Sequence, residues 1–154
     1  MMIDPLAYWT RVMSAWGSVG TTGERLSETA TASHAVIASR TTTIGEAMRS
    51  PLSGDYAELG RMVPEKVAAF SQSGTAGLSA QMTLQAGYVA QAQELGAMWL
   101  RGRPPTLFEL AALSERSSMH ALSALETGAQ MGRDVVAPLH KAATGNAKRL
   151  RKAR

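Results

Sequence analysis

The sequence predicts an all-α protein of elongated amphipathic helices, arranged as a helical hairpin or coiled-coil-like bundle with no sheet. Three observations carry that prediction. The tracts between prolines, above all Val67–Leu100 and Leu107–Val136, are rich in Ala, Leu, Met, Gln and Glu, residues that lose little freedom in a helix. Apolar residues recur at steps of three and four, and no alternating strand pattern competes. The strongly apolar residues, 15 Leu, 8 Val, 3 Ile and 2 Phe, make up about 18% of 154 residues, too few for a broad interior. A net charge of +4 is also too small for disorder driven by charge, and the bulk of the chain is small residues, with 26 Ala and 14 Gly.

The elements follow from local signals. Asp4 is a candidate N-cap and Pro5 a first helical residue, which starts a helix over about 5–50. Leu6, Trp9, Met13 and Trp16 then fall at i, i+3, i+7 and i+10 and form one apolar face. Gly17, Gly20 and Gly23 are expected either to interrupt this helix or to permit a close approach. The pattern resumes more weakly through Leu26, Ala30, Ile37, Ile44 and Met48. Prolines at 51 and 64 bracket a short expected helix, 55–63.

From Pro64 a helix is expected to about residue 102, some 55 Å long and longer than the diameter of a compact globule of this size. Val67, Leu78, Val89 and Leu100 recur at steps of eleven, and Phe70, Met82, Leu95 and Trp99 widen that stripe. Pro104-Pro105 then breaks the chain. Thr106 and Glu109 have the spacing of a capping box, and a helix over 106–137 follows. Leu107, Leu110, Ala111, Ala121, Leu125, Gly128 and Val135 suggest its packing seam. Residues 1–140 are thus read as one helical domain and 141–154 as a basic tail.

Several function classes have no motif here. The chain has no cysteine, so it has no disulfide framework, Cys-ligated metal or thiol nucleophile. His34, His120 and His140 lie far apart, and the glycine spacings fit neither a dinucleotide fingerprint nor a phosphate loop. Acidic pairs such as Glu24/Glu28 read as solvated helix charges. We expect no catalysis, no cofactor and no metal. The start of the sequence shows no secretory signal, and the uncharged window Val67–Gln93 carries five Gln, so no transmembrane segment and a cytoplasmic location are expected.

Two features point to function. The apolar stripes are either the core of a bundle or a face for an extended surface. About ten stripe residues at roughly 1.5–3 kcal/mol each set about 15–30 kcal/mol against the far larger entropy of ordering a helix of some 37 residues, so these faces need partners. The tail carries Lys141, Lys148, Arg149, Arg151, Lys152 and Arg154 with no acid, and the other 140 residues are net negative by two. It suits an anionic surface or the DNA backbone without sequence reading, or serves simply as a solubilising end.

A resemblance adds to this. The run from Asp55 through Glu58, Arg61-Met-Val-Pro-Glu-Lys-Val67 and Phe70 to Ser71 resembles a segment of the phasins, proteins of polyhydroxyalkanoate storage granules. Ala137-Pro-Leu-His-Lys-Ala-Ala-Thr-Gly-Asn-Ala-Lys-Arg-Leu150 is similar to the same family's C-terminal pattern, with Gly145 in place of a better helix former. The resemblance implies a non-catalytic helical protein that coats the granule surface, limits coalescence, self-associates as a homo-oligomer and in some cases contacts polymer synthase or depolymerase. The surface residues are inferred from the stripes: Leu6, Trp9, Met13, Trp16, Val67, Phe70, Leu78, Met82, Val89, Trp99, Leu100, Leu107 and Leu110. The alternative is an oligomeric helical adaptor that binds nucleic acid or an anionic surface through residues 141–154.

Overall fold

A computed structural model describes residues 4–52 and 56–152. It contains three helices and, among these residues, no strand: α1 (Pro5–Arg49), α2 (Tyr56–Trp99) and α3 (Leu107–Lys152). Each is about 65–70 Å long at 1.5 Å per residue, so the all-α, elongated prediction holds.

The ends follow local chemistry. The Asp4 carboxylate accepts from the Leu6 amide at 3.0 Å, with Pro5 next to the cap. Glu109 and Thr106 form the expected capping box: the Glu109 amide donates to the Thr106 hydroxyl at 3.2 Å, and the Thr106 amide donates to Glu109 at 2.9 Å. Between α2 and α3 the chain turns through Gly102, whose φ of 70° is the left-handed conformation that favours glycine.

Two sequence-based boundaries are corrected. Pro64 lies inside α2, so the separate helices 55–63 and 64–102 are one helix; Asp55, the expected first residue, lies outside the described residues. Pro138 lies inside α3, so the helix expected to end at 137 continues through the basic segment to Lys152. An interior proline costs about 3 kcal/mol because it removes a helical hydrogen bond and crowds the carbonyl four residues back. Contacts on either side compensate: Glu65 and Ala69 follow Pro64 into the interior, and Val136 is buried just before Pro138. The Val135 carbonyl accepts from the Ser73 hydroxyl of α2 at 2.7 Å. α1 also runs unbroken through Gly17, Gly20 and Gly23, and nothing lies within 4 Å of a Cβ placed on any of them, so these glycines provide neither a break nor a close approach.

The third helix is the centre. α1 and α2 each pack along α3 and barely touch one another. α3 runs parallel to α1, as the pairs Arg11–Glu126 and Thr29–His140 show, and antiparallel to α2, as Glu65–Arg149 and Gln91–Ser117 show. Its deepest line is Leu122, Ala129 and Val136, a strict step of seven. The seam expected at Ala121, Gly128 and Val135 is one residue early. α3 serves two neighbours: Val135 lies over Gly77 of α2 and Gly132 over Thr22 of α1, and the buried line runs between those contacts.

The interior is otherwise small. Ala15, Ala47, Ala69 and Ala129 are buried with Val36 and Met98, together with Thr22, Ser73 and Arg40. Thr22 returns its hydroxyl to the Ser18 carbonyl at 2.8 Å, which lets a polar side chain sit inside. The accessible surface is 10846 Å², against about 7500 Å² for a compact monomer of this mass. Apart from Leu122, Met98 and Arg40, the large side chains have remained outside.

Candidate functional site

All thirteen residues read from the sequence as a surface or oligomer face are exposed, from 43% at Leu110 to 88% at Leu100. Trp9 and Trp16 lie about 100–140° around α1 from the buried Ala15 and Thr22, so the stripe is turned away from α3. α2 follows the same plan: Ala69 and Ser73 face inward while Val67, Leu78 and Val89 stay in solvent. Periodicity located these residues but missed others that extend the faces, including Val19, Tyr56, Val63, Tyr88 and Phe108. Tyr56 and Val63 precede Phe70 at steps of seven, a signal that the expected break at Pro64 concealed.

The exposed residues are not evenly spread. Arg11 is level with Glu126, so Pro5 is level with about residue 120 of α3, and the hairpin tip from Leu107 onward runs roughly 15–20 Å past α1. Trp99, Leu100, Leu107, Phe108 and Leu110 stand at that tip, next to the end of α1 that carries Trp9 and Trp16. Polar ties hold the tip in shape. Glu109 takes Arg103 at 2.7 Å and Arg101 at 2.9 Å. The Arg103 hydrogen bond, aided by the Thr106 amide, pulls the Glu109 carboxyl down to about 2.

The opposite end is ionic. Arg149 donates to Glu65 and to Glu58, both at 2.8 Å, and Arg40 reaches the same two carboxylates at 3.3 Å. These four residues join all three helices, and the Arg40 and Glu58 side chains are only 5% and 11% exposed. Burial pushes the Glu65 carboxyl up, but Arg149, Asn146 and Arg40 outweigh it and hold the group below the usual carboxylate range. The same hydrogen bond raises Arg149 above its ordinary value. Glu58 and Glu65, seven apart on α2, share a face, which was readable; their partners depend on the fold.

The basic segment therefore divides. Arg149 belongs to this ionic cluster, whereas Lys141, Lys148, Arg151 and Lys152 are exposed on the last turns of α3, where cations also complement the helix dipole. Arg154 lies outside the described residues. The two segments that carry the family resemblance meet at this end, since Glu58 and Glu65 come from one and Arg149 from the other.

Among the described residues no group of three or more His, Asp or Glu is placed to hold a metal, and no helix is long and apolar enough to cross a membrane. No protein-family model, curated protein or solved structure matches this chain.

Proposed function

We propose that this protein coats an apolar polymer surface, that of a polyhydroxyalkanoate storage granule, and limits coalescence as a non-catalytic layer. The observation that carries the reading is the exposure of Leu6, Trp9, Met13, Trp16, Val67, Phe70, Leu78, Val89 and Trp99 on a bundle whose interior, apart from Leu122, Met98 and Arg40, is filled by alanine, valine and hydroxyl side chains. A monomer seldom keeps so much contiguous apolar surface in water without something to cover it. The resemblance to phasins in residues 55–71 and 137–150 names the surface. On the polymer, the tryptophan end and the α2 stripe lie against polyester, and the Ser, Thr and charged sides face water. Copies of the chain associate side by side through the remaining apolar area.

Adsorption of this kind buries apolar area and is insensitive to salt. Purified protein mixed with polyhydroxybutyrate particles is expected to sediment with them at both low and high salt; protein that stays in the supernatant under both conditions overturns the reading.

A second reading rests on the four exposed cations at the end of α3. An adaptor that binds DNA or another polyanion through Lys141, Lys148, Arg151 and Lys152 loses affinity steeply as salt rises, and loses it on removal of residues 141–154. That deletion also removes Arg149, so the fourfold change of these exposed cations to Gln is the cleaner test.

A further inference from the structure

Just inside the ionic cluster, a cavity of about 460 Å³ opens between the three helices. Its walls are Val36, Ile37 and Ile44 of α1, Met62 and Phe70 of α2, and Leu139 of α3. It follows α1 from Thr29 to Ile44, about 22 Å, and its volume lies in the usual range for small-molecule sites. Apolar walls dominate, and charge enters near one place, where Arg40, Glu65 and Lys66 line the space.

The two cations there differ. Arg40 is 4% exposed, gives its Nη2 to Glu58 and Glu65, and has its Nε sealed from solvent and so out of a ligand's reach. Lys66 stands at the exposed rim and makes no ion pair among the described residues. Arg40 and Arg149 already answer Glu58 and Glu65, so among the described residues Lys66 is the cation left beside the apolar trough.

We propose that this cavity binds a medium-chain aliphatic carboxylate, with its carboxylate at Lys66 and its alkyl chain along Ile37, Ile44 and Phe70. An aliphatic alcohol fills the trough but leaves the ammonium of Lys66 unanswered. A dianion such as phosphate meets Glu65 and gains nothing from the walls. A single anionic head on an alkyl chain uses both parts. This function goes beyond polymer coating and does not depend on it, because its test contains no polymer.

The experiment is isothermal titration calorimetry of the full chain with decanoate below its micelle concentration, with 1-decanol and inorganic phosphate as comparison ligands. One saturable decanoate site is expected, with decanol weaker and phosphate silent. Lys66→Gln is expected to weaken decanoate about tenfold and leave decanol unchanged. Thr41→Phe, at the exposed rim, is expected to block both. The double variant Trp9→Ser/Trp16→Ser, far from the cavity, is expected to bind decanoate normally, which separates this site from adsorption on the exposed stripes. Helix content by circular dichroism accompanies each variant. No saturable site, equal binding of decanoate and decanol, insensitivity to both Lys66→Gln and Thr41→Phe, or loss of binding in the tryptophan variant each overturns the proposal.

Discussion

Where α1 ends and α2 begins, four charged side chains from three helices hold one another, with Arg40 and Glu58 almost sealed from water. Where α2 turns into α3, the hairpin runs past α1 and presents Trp99, Leu100, Leu107 and Phe108 to solvent, beyond the end of α1 that carries Trp9 and Trp16. One end spends its contacts inward on keeping the helices together, and the other leaves its largest apolar groups unspent. Stability and surface binding are therefore expected to reside in different residues, and substitutions at the two ends should separate them.

The largest effect is expected at the tryptophan end. Each Trp in Trp9→Ser/Trp16→Ser removes a side chain worth at least about 1.5–3 kcal/mol of burial, so retention on polyester particles should fall at least about tenfold. Both residues are already in water, so the urea midpoint of the free protein should hardly change. A sedimentation assay run beside a urea melt checks both halves. The reverse pattern is expected of Arg40→Ala, which removes one of the two arginines that Glu58 and Glu65 share. Breaking a buried ion pair from one side costs about 3 kcal/mol, visible as a lower urea midpoint, while particle retention by the folded fraction stays as before.

A smaller effect is expected along α1. Nothing lies within 4 Å of a Cβ at Gly17, Gly20 or Gly23, so each Gly→Ala change should stabilise by about 1 kcal/mol, read in the same melts. A loss of stability would mean that this stretch is packed more closely than the structure shows.

The smallest effect is a pH dependence at the hairpin tip. The folded Glu109 carboxyl sits at about 2, below its unfolded value near 4.5, so its contribution is present above pH 4.5 and disappears as pH falls toward 2. Thermal melts from pH 5 to 2 should show less acid sensitivity in Glu109→Gln than in the parent. Glu65 is depressed in the same direction and keeps part of the acid dependence at the other end.

What the sequence revealed follows the range of the forces involved. Asp4-Pro5 and Thr106/Glu109 act within one helical turn, so the caps were readable as patterns. The stripes were readable because their spacing is a property of one helix, and the structure leaves the named stripe residues exposed except Leu95, which is half-buried. Pro64 and Pro138 misled because a local penalty was overruled by contacts from distant helices. The packing seam of α3 was placed one residue early because its position depends on serving two partners at once. Of the ionic cluster only the shared face of Glu58 and Glu65 was readable, since Arg40, Glu58 and Arg149 become neighbours only after the bundle closes.

The central place of α3 also fixes the order of assembly. α1 and α2 meet only at their margins, so when the chain grows from its N-terminus the first hundred residues hold two long helices with almost no seam between them. Until Leu122, Ala129 and Val136 leave the ribosome, neither helix has its packing partner. The nascent chain thus keeps the small-residue faces of α1 and α2 uncovered until α3 is made, and α3 closes the bundle.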